Sequence, residues 1–233
     1  KQVERYSYDD ESRLARFELD QDGDGLAEIV RSYSYLEEGE YLFTLVDYGD
    51  DGSVDERIRQ SYYPSGRVAT LAIDAGNKGH FRWLTSYSYH PNGTLATREH
   101  QSDDDQDGTI DSIDLETFDE TGRPLVNEWD ADADGQWDQR LENVYGPHGL
   151  TQTTEKTSTS VLRTTTYGYT PNGALESRET RDGTGELQES ELRTYDSSSR
   201  LQSILTTKND AILLETGTAQ VRQVYHYDGC SSP

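Results

Sequence analysis

Polar and apolar residues alternate along most of this chain with a period of two. Arg5-Tyr6-Ser7-Tyr8, Ser32-Tyr33-Ser34-Tyr35, Ser86-Tyr87-Ser88-Tyr89 and Thr166-Tyr167-Gly168-Tyr169 each set aromatic rings against small residues. In an extended chain such alternation sends one residue set to each face, so these runs predict β-strands. No convincing amphipathic helix emerges, the nearest candidate being Asp210 to Val224. The expected fold class is all-β.

The pattern repeats. An aromatic followed four residues later by Gly or Ser occurs at Tyr8, Tyr35, Tyr62, Tyr89, Phe118, Tyr145, Tyr169, Tyr195 and Tyr227, with spacings of 27, 27, 27, 29, 27, 24, 26 and 32. Gly39 and Ser231 fill that later slot after Tyr35 and Tyr227. Pro64, Pro91, Pro147 and Pro171 all fall two residues after the aromatic, within Pro-Ser-Gly, Pro-Asn-Gly or Pro-His-Gly. Proline presets the first corner of a turn and glycine accepts positive φ without steric cost, so each repeat reads as strand, tight turn, strand, second loop. Tandem hairpins of about 27 residues should form an elongated β-solenoid or a coiled β-ribbon. Tyr6, Tyr33, Tyr87 and Tyr167 are expected to stack with the anchor aromatics.

Tyr8-Asp9-Asp10-Glu11-Ser12-Arg13-Leu14, Phe118-Asp119-Glu120-Thr121-Gly122-Arg123-Pro124-Leu125 and Tyr195-Asp196-Ser197-Ser198-Ser199-Arg200-Leu201 resemble the Tyr-Asp-x-x-Gly-Arg-Leu signature of RHS/YD repeats. The resemblance implies β-hairpin ribbons that coil into spirals or hollow shells, as in bacterial surface proteins, polymorphic toxins and teneurins. Other repeats carry Leu36, Tyr63, His90, Gly146 or Thr170 in the Asp slot.

The second loop of the better-kept repeats carries the candidate chemistry. Asp20, Asp22, Asp24, Gly25 and Glu28, then Asp103, Asp105, Asp107, Gly108 and Asp111, then Asp130, Asp132, Asp134, Gly135 and Asp138 all fit D-x-D-x-D-G-x-x-[DE]. Asp47, Asp51, Gly52 and Asp55 keep the frame with Gly49 at the third position. Calcium takes six to eight oxygen ligands at roughly 2.3–2.6 Å, which alternate carboxylates on a curled loop can supply. A backbone carbonyl near the seventh position, Leu26 in the first loop, would add another. This is the opening of an EF-hand loop without its twelfth-position Glu, that place holding Arg31, Ile58, Asp114 and Leu141. The loops are similar to thrombospondin type 3 and dockerin-like calcium loops, and about four Ca²⁺ ions are expected. In Asp74 to Arg82 the same frame carries Lys78 and Arg82, cations expected to stand in for the metal's charge. Beyond residue 150 the carboxylates are lost. Residues 1–150 are therefore read as calcium-loop repeats and 151–233 as calcium-free repeats, in one continuous array.

Composition sharpens the picture. The formal charge is -24 and 31% of residues are hydrophobic, too few for an ordinary globular core, so metal staples are needed. The acidity disfavours nucleic acid and anionic membrane surfaces as partners, and no apolar run is long enough for membrane insertion. The first residues carry no signal-peptide pattern, so a mature or excised segment is expected. Cys230 is the single cysteine and cannot make a disulfide within the chain. His80, His90, His100, His148 and His226 fit no metalloprotease spacing, and no nucleophile elbow or phosphate loop occurs. An enzyme is not expected. Trp83, Trp129 and Trp137 lie off the aromatic ladder and are the candidates for a glycan-stacking surface. The expected function is a calcium-stabilised extracellular scaffold, a stalk, filament unit or adhesin segment of a bacterial surface or secreted protein. The alternatives are a wall segment of a toxin-encapsulating shell and a calcium-dependent carbohydrate-binding module. Self-association end to end or through strand edges, or a surface protein or glycan, would supply the partner.

Overall fold

The computed structural model describes residues 1–35, 41–209 and 218–224. Leu36, Gly39, His226, Tyr227, Cys230 and Ser231 lie outside the described residues. Of the helix candidate, Thr218–Val224 is a strand and the remainder lies outside them.

Seventeen strands and no helix are found among the described residues. They fall into two compact units, Lys1–Arg123 with Trp129–Gln136, and Pro124–Glu128 with Trp137–Pro233. The first unit contains β1 (Val3–Tyr8), β2 (Leu14–Asp20), β3 (Ile29–Tyr35), β4 (Tyr41–Tyr48), β5 (Glu56–Tyr62), β6 (Val68–Ala75), β7 (Trp83–Tyr89), β8 (Leu95–Ser102) and β9 (Ser112–Phe118). β10 (Pro124–Asp130) has residues in both units. The second unit continues with β11 (Gln139–Gly146), β12 (Gly149–Thr157), β13 (Val161–Tyr169), β14 (Leu175–Asp182), β15 (Leu187–Tyr195), β16 (Leu201–Asn209) and β17 (Thr218–Val224). Within β1–β9, and again within β11–β17, each strand pairs antiparallel with the next in sequence. Each unit is therefore a ribbon of successive hairpins.

The tight turns share one construction. At Asp9, Tyr63, His90, Asp119, Thr170 and Asp196 the residue after the anchor donates its N–H to the carbonyl four residues on, and its own carbonyl accepts the N–H three residues on. The residue at that third step has positive φ, from 60° at Ser199 to 90° at Gly93. This is a type I turn followed by a left-handed residue that makes a bulge. The register shifts at Ser7/Tyr8, Ser61/Tyr62, Ser88/Tyr89, Gly168/Tyr169 and Thr194/Tyr195 record the bulge.

The Asp and Arg of the signature clamp this turn. Asp9 Oδ1 accepts the N–H groups of Glu11 and Arg13, and its Oδ2 accepts Arg13 Nε at 2.8 Å. Asp119 and Asp196 hold Arg123 and Arg200 in the same way. The Arg13 guanidinium also lies 4.6 Å from the centre of the Tyr35 ring, the anchor of the next repeat.

The anchors tie repeat to repeat. Hydroxyls of Tyr35, Tyr89, Tyr145, Tyr169 and Tyr195 donate to the carbonyls of Leu14, Val68, Pro124, Leu150 and Leu175, at 2.6–3.0 Å. Each acceptor is the first residue of the return strand of the preceding repeat, or the second at Leu150, so a half-buried phenol satisfies a strand-end carbonyl. The small residue before the anchor pairs across the hairpin, as in Ser61–Thr70, Ser88–Thr97 and Thr194–Ser203, at 2.6–2.8 Å. The expected stacking of Tyr6 on its anchor is replaced by a contact with Phe17 at 5.2 Å, which lies directly across the strand pair.

Ala27, Val30, Val46 and Ala72 are the buried hydrophobic residues among those described, all in the first unit. Asp20, Asp74 and Asp103 are as buried, at 1–2% exposure, and all three begin acidic-frame loops.

Candidate metal centre

Five nine-residue loops in the acidic frame begin at Asp20, Asp47, Asp74, Asp103 and Asp130. All five wrap around the first Asp. Its carboxylate accepts the N–H of the sixth-position glycine at 2.9–3.0 Å, from Gly25, Gly52, Gly79, Gly108 and Gly135. The other oxygen accepts a second amide, from Gly23 in the first loop and from Asp51, Lys78, Asp107 or Asp134 in the rest. The sixth-position glycines have φ of 86–101°, and the fourth-position residues Gly23, Asp50, Asn77, Gln106 and Ala133 also have positive φ. Two left-handed residues curl the chain tightly enough for one carboxylate to reach both amides, which is why glycine is needed at position six.

The ninth position locks the base. Glu28, Asp55 and Asp111 accept the N–H of Gln21, Tyr48 and Asp104 at 2.6–2.7 Å. Their own N–H groups return to the carbonyls of Leu19, Val46 and Ser102. Oxygens from positions one, three and nine thereby converge. Asp20, Asp22 and Glu28 bring one carboxylate oxygen each within 4.8 Å of one another, and so do Asp103, Asp105 and Asp111. In the third clean loop Asp130 and Asp132 meet the same limit, while Asp138 belongs to the second unit.

The fifth-position carboxylates turn elsewhere. Asp24, Asp107 and Asp134 accept the N–H of Leu26, Thr109 and Gln136 at 2.7–2.8 Å, so they shape the second half of the loop. Leu26 is 71% exposed.

Asp47, Asp51 and Asp55 build the same curl but supply no third-position carboxylate. Gly49 has φ 92° and its N–H donates to the Glu28 carbonyl at 2.8 Å, joining this loop to the previous one. Gly76 does the same to the Asp55 carbonyl at 2.6 Å. A third-position glycine here serves contact between loops, where a side chain would have offered a ligand.

The loop at Asp74 corrects the charge-replacement expectation. Gln106, itself buried, sends Nε2 to Asp74 Oδ1 at 3.3 Å and to the His80 carbonyl at 3.0 Å. Arg82 lies over the Trp83 ring at 4.8 Å and 4.0 Å from Asp104. The side-chain amide of Gln106 joins the backbone N–H groups of Lys78 and Gly79 at the buried carboxylate, and no ion pair from the Lys78 ammonium or the Arg82 guanidinium reaches it among the described residues.

The converging oxygens fit a hard cation. They are all carboxylate and include no imidazole or thiolate, the donor set suited to Ca²⁺ or Mg²⁺ and unsuited to zinc. Among the described residues no ion pair reaches Asp103, Asp105 or Asp111, and Arg5 stands 3.7 Å from Asp20. Like unit charges 4 Å apart repel by about 1 kcal/mol in water and about 4 kcal/mol near a protein surface. A divalent ion would turn that repulsion into attraction.

Among the described residues, the two corresponding loops of the second unit, between β12 and β13 and between β14 and β15, close without this device. Asp182 N–H donates to the Glu186 carbonyl, and Gly185 N–H to the Asp182 carbonyl. Asp182 Oδ1 accepts the N–H groups of Thr184 and Glu186, the same compact turn that Asp9 and Asp119 make at the opposite end of their hairpins. Between β12 and β13, Thr157 N–H reaches the Ser160 carbonyl directly. Four- and five-residue turns in place of nine explain the shortened spacings of 24 and 26.

Of the tryptophans, Trp129 is 40% exposed, while Trp83 and Trp137 lie against Arg82 and Arg140.

No family model matches the chain, and no curated protein matches it. Among solved structures it is similar to a chain of the TcdB2–TccC3–Cdc42 complex, at 15% identity and TM-score 0.39 over 97% of this chain and 14% of that one. The Photorhabdus luminescens Tc holotoxin pore gives 16% identity and TM-score 0.32 over 96% of this chain and 14% of its own. A porin-like protein from Bacteroides uniformis ATCC 8492 gives 14% and 0.34 over 94% of this chain and 89% of its own. The chain thus spans a small fraction of the toxin chains it resembles, and its fold is established by its own strand pairing.

Proposed function

We propose that this chain is a calcium-stabilised β-hairpin scaffold, a stalk, filament unit or adhesin segment of a bacterial surface or secreted protein. The observation that carries the reading is the convergence of first-, third- and ninth-position carboxylate oxygens in the Asp20 and Asp103 loops, with the same start in the Asp130 loop. The residues that would hold the ions are Asp20, Asp22 and Glu28, Asp103, Asp105 and Asp111, and Asp130 and Asp132 with Asp138 offered by the sequence. A calcium ion there would neutralise carboxylates that the fold forces together and would bind the folded arrangement alone.

Extracellular placement agrees with this chemistry, since a scaffold of weak to moderate sites needs the higher calcium outside cells. Burying four hydrophobic side chains among the described residues gives them little core, so added linkage energy matters. A site held at a hundredfold its Kd contributes about 2.7 kcal/mol, and three contribute roughly 8 kcal/mol, comparable with the whole stability of an ordinary domain.

Thermal melts in calcium and in EDTA test the proposal. A large loss of melting temperature in EDTA, restored by calcium, is expected; superimposable melts would overturn it. Self-association through strand edges belongs to the same reading, and sedimentation across a concentration series in calcium should show growth beyond the monomer.

A further inference from the structure

Four tight turns carry an Arg five residues after the anchor, at Arg13, Arg67, Arg123 and Arg200. Three of these guanidiniums are held by the Asp of their own turn. At the fourth, Tyr63 occupies the Asp slot, and no ion pair of Arg67 occurs among the described residues. Arg67 is thus the one Arg of this turn position that no carboxylate of its own turn holds.

The substitution also builds a cleft. The Tyr63 hydroxyl donates to the Tyr87 carbonyl at 2.8 Å, and its ring meets Tyr89 edge-on at 5.9 Å. Arg67 reaches across to the next repeat, its guanidinium 5.5 Å from the Tyr89 ring centre. Gly93 permits this, because a Cβ there would sit 2.0 Å from Arg67 Nη2. Tyr63, Ser65, Arg67, Ser88, Tyr89 and His90 line a cleft of about 370 Å³, within the size range of small-ligand sites. His90 Nε2–H donates to the Phe118 carbonyl at 2.9 Å, which fixes the ring and leaves Nδ1 for another partner.

We propose that this cleft binds a carboxylate-bearing sugar, such as a hexuronic acid residue of an acidic glycan. The guanidinium takes the carboxylate in the paired geometry that Arg favours, the role Asp plays in the sister turns. The Tyr63 ring, 41% exposed, supplies a face for the sugar's C–H groups, and Ser65, Ser88 and His90 supply hydrogen bonds to its hydroxyls. The site lies at the tight-turn end of the hairpins, so it does not depend on metal in the acidic loops.

Saturation-transfer NMR and calorimetry with glucuronate and with glucose, on the full chain at physiological salt where the Debye length is about 8 Å, test the assignment. Glucuronate should bind in the millimolar range or tighter and glucose at least about tenfold more weakly, a difference of about 1.4 kcal/mol. Tyr63→Asp restores the clamp seen at Asp9 and Asp119 and should abolish glucuronate binding while keeping the fold. Arg67→Gln should do the same by removing the cation, and it keeps the test open should Tyr63→Asp fold poorly. Equal binding of the two sugars, no binding of glucuronate, or wild-type affinity in a folded variant would overturn the proposal. Acetate competing as well as glucuronate would also overturn it, by showing a carboxylate site indifferent to the sugar.

Discussion

The two units spend their residues differently on the same hairpin. In the first, one end of each hairpin is a nine-residue loop curled round an Asp that is buried in all but the Asp47 loop, and every buried hydrophobic side chain among the described residues lies in that unit. In the second, the hairpin ends among the described residues are short turns whose hydrogen-bonding groups are satisfied locally. A turn that satisfies itself needs no ion. A long acidic loop gathers carboxylates that repel, and becomes a source of stability only when a cation joins them. The comparison teaches that the repeat has two solutions to chain reversal, a long loop that gathers carboxylates and a short turn that satisfies its own hydrogen bonds.

The strongest way to break this comparison is to remove calcium. If three sites are emptied, the first unit should lose on the order of 20 °C in melting temperature. Hydrogen exchange should show protection falling across β2–β9 and holding across β12–β16. Uniform loss along the chain would erase the distinction between the units.

A pair of substitutions sharpens it at the level of one side chain. Asp103→Ala leaves the amides of Asp107 and Gly108 without their acceptor, a cost of about 2–3 kcal/mol, and should also remove one calcium-dependent increment. Asp74→Ala strips the same two bonds from Lys78 and Gly79. Its cost should be similar in calcium and in EDTA, because Gly76 and Arg82 hold the third and ninth positions, where a carboxylate would join Asp74, and the Gln106 amide meets it instead. Denaturant titrations in both media check the pair.

Acid should act on the turns that serve both units. Hydrogen bonds hold several of their carboxyls below the ordinary range: the Thr121 hydroxyl with the Arg123 amide for Asp119, the Thr184 hydroxyl for Asp182 and the Arg200 amide for Asp196. Their folded pKa values lie below the unfolded value near 3.9. The stability they lend is therefore complete above about pH 4 and fades as pH falls through the folded values. A melt series in EDTA should be flat from neutral pH down to that point as far as these clamps are concerned. A loss centred near pH 6 would assign the sensitivity to other groups.

The smallest expected effect concerns the left-handed turn residue. Most turns place Gly there, but Ser12 and Ser199 have φ of 63° and 60°. Relieving that conformation in Ser199→Gly should stabilise the second unit by up to about 1 kcal/mol, with or without calcium. Destabilisation of that size would show that the serine makes a contact worth more than its strain.

Much of this was readable along the chain because its signals are local. Strand alternation, the Pro-Asn-Gly corners and the nine-residue acidic frame all act over a few neighbouring residues. The tight turn needed only its bulge added. What escaped reading depends on neighbours distant in sequence. Nothing around Gln106 signals that its amide would enter the Asp74 loop 32 residues away. Gly49 reads as a degenerate ligand position until its N–H is seen on the Glu28 carbonyl. The anchor tyrosines suggest ring stacking, whereas their hydroxyls find backbone carbonyls 19–21 residues back. One signal was available and unused: the Asp182-Gly-Thr-Gly-Glu186 run repeats the spacing of the Asp-x-x-Gly turns and marks the change of loop type in the second unit.

Calcium stoichiometry tests the central claim most directly. Isothermal titration of the chelator-treated chain should give three ions, matching the three acidic groups at Asp20, Asp103 and Asp130, and two in Asp105→Ala. No binding, or a count unchanged by Asp105→Ala, would contradict the account.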